Sequence, residues 1–181
     1  MTTATAHPLA NFEEPLRVLR GTHMRIELRL ALLAELCHHV HEHGIDESAC
    51  TTASVVLRYF DDAESKHQDD EERDLFPALA AATDPSARES VSRLLERLAA
   101  QHDEIERSYQ ALRPHLARLA DGEAAELPPG LCARLHDVYM QHIEIEEAEL
   151  LPLAERSLTQ EALRHLGSAM AARRNVDMAC A

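Results

Sequence analysis

One eleven-residue phrase occurs twice in this chain, and it narrows the available folds more than any other feature. It reads His67-Gln68-Asp69-Asp70-Glu71-Glu72-Arg73-Asp74-Leu75-Phe76-Pro77 the first time. The second copy is His142-Ile143-Glu144-Ile145-Glu146-Glu147-Ala148-Glu149-Leu150-Leu151-Pro152. Both follow His-x-x-x-Glu-Glu-x-acid-Leu-apolar-Pro. On an α-helix, positions four apart lie on one face, about 6 Å apart along the axis. An imidazole and a carboxylate at that spacing can reach one metal ion or a bridged pair. His23/Glu27 and His102/Glu106 repeat the spacing. Four such helices facing one another would close a metal cage.

The chain holds 12 His in 181 residues, and chance placement gives about 1.4 His-x-x-x-Glu pairs. Six are present, counting His38/Glu42 and His43/Glu47. The excess alone is weak, because an acidic helical surface collects such pairs and each adds only a few tenths of a kcal/mol. The distribution is stronger: one pair falls on each of four expected helices.

A length of 181 residues suits one domain with a sizeable core. Five Gly and no Trp, against abundant Ala, Leu, Glu and Arg, favour helix over sheet. A net charge of −14 argues against nucleic acid, since no basic stripe exists to neutralise phosphates, and it suits cations. No apolar run spans a membrane, and Met1 to Pro8 carries no basic-then-apolar leader. Cys37, Cys50, Cys132 and Cys180 are scattered, without a Cys-x-x-Cys pair. The expected compartment is the cytoplasm, with reduced thiols and no membrane association.

The spacing predicts a first helix from Glu14 to His41, opened by Pro15 and stopped by Gly44. Its seam is Leu16, Leu19, His23, Ile26, Leu30, Leu33, Cys37 and Val40. A second apolar row of Leu28, Leu32 and Leu36 is suited to a partner contact. A second helix is expected from Ser48 to Asp74, ended by Leu75-Phe76-Pro77. A third spans Ser86 to Ala120, kinked at Pro114. A loop from Asp121 to Gly130 leads to a fourth, Leu131 to Leu150. A short amphipathic helix from Leu153 to Arg173 follows, with a frayed tail after Asn175. The expected fold is all-α: an antiparallel up-down four-helix bundle plus a short C-terminal helix, one domain over 1–181.

At 100° per residue, Glu71, Glu106 and Glu146 fall about 40° from their histidines. Phe60, Leu95 and Leu135 flank these pairs seven residues away, so each pair is expected to face inward. Four imidazoles and three carboxylates buried without partners would cost several kcal/mol each, and metal coordination relieves that cost. Glu27 sits at the edge of its stripe and reads as a residue behind the ligands or on the surface. Asp74 and Glu149 face inward near helix ends, where they orient imidazoles or are solvated. Glu72 and Glu147 point about 140° away and are expected to be exposed. Tyr109 and Tyr139 face inward near His102 and His142. The run His38 to His43 reads as a polar helix end, with His39 and His43 spaced for opportunistic metal binding.

In these residues the chain resembles the hemerythrin-like, or HHE cation-binding, family, over about residues 12–155. The resemblance implies a bundle holding two non-haem iron ions, oxo- or hydroxo-bridged. His23, His67, Glu71, His102, His142 and Glu146 match the family's ligand positions, with the two glutamates bridging. Glu106 stands where oxygen-carrying members place a fifth histidine. A carboxylate there favours ferric iron and weakens the case for reversible oxygen carriage. Those members also use a carboxylate five residues after the last histidine, which here would be Glu147. A ferritin-like site needs Glu-x-x-His on two helices. Glu64-x-x-His67 supplies one, but Ala99 and Tyr139 stand before the other histidines.

The expected metal ligands are thus His23, His67, Glu71, His102, Glu106, His142 and Glu146. Iron is the metal implied, and manganese or zinc suits the same donors. The function expected is binding of a small diatomic ligand, dioxygen or nitric oxide. The alternatives are a diiron oxidase or peroxide-consuming enzyme, motivated by Glu106 and Tyr109, and a redox-responsive module docking a protein partner or a second copy.

Overall fold

Proline opens the first helix. Pro15 lacks the amide hydrogen that the first turn leaves unpaired anyway, and α1 (Pro15–His43) runs from there to Gly44, whose φ of 79° suits only glycine well. The structure, a computed structural model, describes residues 11–123 and 126–176. The N-terminal segment and the tail with Cys180 lie outside them. All regular elements among the described residues are helical.

The second rod corrects the expectation that Pro77 would end it. α2 (Glu47–Arg58), π1 (Tyr59–Glu64), α3 (Ser65–Asp70), π2 (Glu71–Leu75) and α4 (Phe76–Ala82) succeed one another without a break. A proline ring normally strikes the preceding turn and removes a hydrogen bond. Here the turn before it is widened: the Phe76 N–H bonds to the Glu71 carbonyl, five residues back. Pro77 then falls in the first turn of α4. The second copy of the phrase behaves alike. α6 (Pro129–Ile145) passes into π3 (Glu146–Leu150) and α7 (Leu151–Ser157), and the Leu151 N–H bonds to the Glu146 carbonyl. The final helix therefore begins later than expected. α8 (Gln160–Arg173) starts after Thr159, whose side chain accepts from the Ala162 N–H.

The remaining long element, α5 (Arg88–Ala120), runs through Pro114 without interruption. α1 packs against α2 and α6, and α5 packs against the same two, so the four rods close a ring. α8 lies outside, against α1, α3 and π2. It is fastened by charge. Arg174 Nη2 donates to Asp70 Oδ2 at 2.6 Å and Arg173 Nη2 to Asp74 Oδ2 at 2.6 Å, while Arg173 also contacts the fully buried Asp70 carboxylate.

Two apolar clusters fill the ring. One gathers Ile26, Leu30 and Leu33 of α1 with Val56, Phe60, Ile105, Leu112, Leu135 and Tyr139. The other gathers Leu16 and Leu19 with Leu75, Leu79, Leu98, Leu150, Leu151 and Met170. Along α1 the clusters meet between Leu19 and Ile26, and along α5 between Leu98 and Ile105. His23 and His102 occupy those gaps, so the histidine layer is closed by dry packing on both sides. The second apolar row of α1 divides: Leu36 is buried, whereas Leu28 is 62% exposed.

Candidate metal centre

Four rods each contribute one histidine to this layer, and all four rings are buried: His23 and His142 to 2%, His67 to 2% and His102 to 3% exposure. Glu71 and Glu146 are fully buried among them. Each glutamate spans two rods. Glu71 Oε1 lies 3.4 Å from His67 Nε2 on its own rod, and its Oε2 lies 3.2 Å from His102 Nε2 on α5. Glu146 Oε1 lies 3.3 Å from His142 Nε2, and its Oε2 lies 3.0 Å from His23 Nε2 on α1. The arrangement has an approximate twofold relation, carried by the repeated phrase.

Donor atoms of His23, His67, Glu71 and Glu146 lie within 4.8 Å of one another, and so do those of Glu71, His102, His142 and Glu146. The two sets share both glutamates, which is the arrangement that two bridged cations require. Both oxygens of Glu71, with Oε1 of Glu146 and Nε2 of His67, are buried without a hydrogen-bond partner. Such orphaned acceptors are expensive in a dry interior, and a hard-to-borderline cation satisfies all of them. The residues present therefore fit a metal pair.

Charge is arranged to match. Burial lowers His67 far below the ordinary imidazole value, with the charge of His23 adding to it. Burial likewise lowers His142 to about 4, the Glu146 carboxylate only partly opposing it. At His23 burial opposes protonation, but Glu146, Glu71 and Glu147 outweigh it and raise the ring to about 9. Burial and the neighbouring Glu146 drive Glu71 well above the usual carboxylate range. Burial disfavours the Glu146 anion too, yet His142, His23 and His67 hold it down to about 2. Without metal, the cage thus keeps one ion pair, His23 with Glu146, beside a Glu71 carboxyl whose anion is disfavoured.

The second glutamate of each doublet does more than ideal helix geometry predicts. Glu72 and Glu147 are half-exposed, as expected of outward residues, but each reaches back to an imidazole on another rod. Glu72 Oε1 accepts from His102 Nδ1 at 2.6 Å, and Glu147 Oε1 accepts from His23 Nδ1 at 2.7 Å. A proton fixed on Nδ1 leaves Nε2 as the lone-pair donor facing inward. His142 Nδ1 has a looser partner, Gln101 Oε1 at 3.4 Å. Of the two carboxylates between which the sequence left a choice, Glu146 lies inside the cage and Glu147 reaches His23 Nδ1 from outside it.

Glu106 is the departure. It is exposed, its Oε1 accepts from Gln110 Nε2 at 2.9 Å, and it belongs to neither donor cluster. No widened turn follows His102 on α5 to draw the next carboxylate inward. Glu27 is exposed. Asp74 pairs with Arg173, and Glu149 lies 3.9 Å from Arg97, so neither orients an imidazole. Tyr109 donates to Asp61 Oδ1 at 2.6 Å, away from the cage. His39 stacks on His43 with ring centres 4.9 Å apart and bonds to Asp46, at the exposed end of α1.

Glu64 was not among the expected site residues. It is 5% exposed on π1, its Oε1 has no hydrogen-bond partner, and burial pushes its carboxyl up to about 7. The charge of His102 acts on it, which puts it within electrostatic reach of the cage, beside the buried Tyr139. The signal was available: Glu64 and His67 are three apart and share a face.

The hemerythrin HHE cation binding domain model matches residues 14–154, most of the chain. An uncharacterized protein of Haemophilus influenzae is 28% identical over 167 residues, covering 92% of this chain and 94% of that one. The chain belongs to the hemerythrin HHE cation-binding family.

Proposed function

We propose that the protein is a single-domain, antiparallel up-down four-helix bundle, with α8 as an added helix, that holds two non-haem irons and through them binds a small diatomic ligand. The observation that carries this reading is the sharing of Glu71 and Glu146 between two donor clusters. One ion would be held by His23 and His67, the other by His102 and His142, with the glutamates common to both. Six protein ligands for two ions leave coordination positions for a ligand as small as dioxygen or nitric oxide. Bound iron would supply reversible redox chemistry and affinity for that ligand.

The protein's own part is to fix and to exclude. Glu72 and Glu147 lock two imidazoles by their Nδ1 protons. The two apolar clusters keep bulk water from the layer. Among the described residues no helix is long and apolar enough to cross a membrane, and a cytoplasmic setting is part of this proposal. The test is titration of reduced, iron-loaded protein with nitric oxide under anaerobic conditions, followed by its optical spectrum. A saturable spectral change supports the reading, and an unchanged spectrum contradicts it.

A second reading, peroxide consumption, draws on Glu64. A buried carboxyl near neutrality, within electrostatic reach of the cage, is suited to give up and recover a proton there. Turnover of hydrogen peroxide that falls sharply in Glu64→Gln would favour it, and absence of turnover would dismiss it.

A further inference from the structure

Far from the cage, two thiols on different rods lie in contact. Cys37 Sγ on α1 and Cys132 Sγ on α6 are 2.8 Å apart, though 95 residues separate them in sequence. A disulfide bond is about 2.05 Å long, so the sulfurs need to close by less than 1 Å. Cys132 is buried at 6% exposure, in the apolar cluster with Leu127, and Cys37 is half-buried beside it. Cys37 lies fourteen residues past His23, about 21 Å along its helix, and Cys132 ten residues before His142, about 15 Å. Neither thiol touches a proposed ligand.

We propose that Cys37 and Cys132 form a dithiol–disulfide redox site that exchanges with low-molecular-weight disulfides. The more exposed sulfur meets the reagent first. The Cys37 thiolate attacks one sulfur of oxidised glutathione, a mixed disulfide forms, and glutathione thiolate leaves and takes up a proton. The Cys132 thiolate then attacks Cys37 Sγ, the protein disulfide forms, and the second glutathione leaves as its thiol. The sum is two protein thiols and one glutathione disulfide giving one protein disulfide and two glutathione thiols.

The surroundings favour this order. The sulfur–sulfur contact with Cys132 lowers the Cys37 thiol below its ordinary value, burial opposing it. Cys132 is held protonated chiefly by Cys37, and capping Cys37 as a mixed disulfide removes that influence. Cys132 also lies in the first turns of α6, where the helix dipole favours a thiolate. Oxidation would pin α1 to α6 at the end of the rods remote from the histidines.

The test uses the full chain as isolated, incubated with oxidised glutathione. The number of free thiols, four in the sequence, falls to two, and unreduced peptide mapping finds Cys37 joined to Cys132. Closing a loop of this length raises the melting temperature by roughly 10 °C, reversed by dithiothreitol. The Cys50→Ser/Cys180→Ser variant keeps the cross-link, and Cys37→Ser loses it. Four thiols retained, a lasting glutathione adduct on Cys37 with Cys132 free, or a cross-link to Cys50 or Cys180 would each overturn the proposal.

Discussion

The Nε2 atom of His102 lies 3.1 Å from the Nε2 atom of His142. The rings come from α5 and α6 and present the same atom to the same point. Glu71 Oε2 stands 3.2 Å from the first ring and Glu146 Oε1 3.3 Å from the second. Lone pairs from four side chains converge there, and a single shared proton cannot satisfy them all. A cation can.

That convergence sets the proton balance of metal uptake. Without metal, His23 is raised to about 9 against the opposition of burial, and Glu71 is driven well above the carboxylate range by burial and Glu146. His23 is therefore protonated at neutral pH and must lose its proton before Nε2 can bind a cation. Loading the metal-free protein with ferrous iron at pH 7 is expected to release at least about one proton per chain, that of His23. An indicator dye in weakly buffered, oxygen-free solution measures this directly. Uptake without proton release would show that the cage is not the binding site.

Glu64 gives a prediction of opposite sign to the usual acid. Its folded value of about 7 exceeds its ordinary value of 4.5 because burial penalises the anion. A carboxyl raised on folding stabilises the native state below about pH 4.5, and that contribution is lost as pH climbs toward 7. The loss is on the order of 3 kcal/mol. In metal-stripped protein, Glu64→Gln should therefore gain stability relative to wild type between pH 5 and pH 8. Urea unfolding at both values checks it, and an equal difference at the two pH values would contradict the assignment.

The seams were legible because helical periodicity is local. Leu19, His23, Ile26, Leu30 and Leu33 follow it and are all buried. The cage histidines and Glu71 and Glu146 were legible for the same reason, reinforced by the repeated phrase. What stayed hidden depends on departures from the ideal helix or on contacts between rods. The widened turns begin at Glu71 and Glu146, and they carry the rods past Pro77 and Pro152 while the adjacent glutamates clamp neighbouring rods. Glu72 and Glu147 could not be assigned without knowing which imidazole faced them. Glu106 has the same offset from its histidine as Glu71, but α5 has no widened turn there, and Gln110 takes its carboxylate at the surface.

Two glycines separate helix propensity from close packing. A Cβ at Gly167 in α8 would lie 1.9 Å from the Phe12 carbonyl oxygen and 3.1 Å from its carbon, both backbone atoms. At Gly21 in α1 the nearest atom is the flexible Arg25 Nη1, 3.7 Å away. Gly21→Ala is expected to stabilise by about 0.5–1 kcal/mol through lost chain entropy alone. Gly167→Ala should destabilise by about 1–3 kcal/mol by prising α8 from the Phe12 backbone. Chemical denaturation of the two variants measures both, and stabilisation at Gly167 would mean that α8 does not dock as described.

Elemental analysis of freshly purified protein, paired with its His67→Ala variant, tests the central claim most directly. The account predicts about two iron ions per chain in the wild type. In the variant it predicts a large loss of bound iron, with a parallel loss of any absorption that the iron pair gives the wild type. Wild-type protein that carries no metal, takes up none when iron is supplied, and keeps the same stability with a chelator would contradict it.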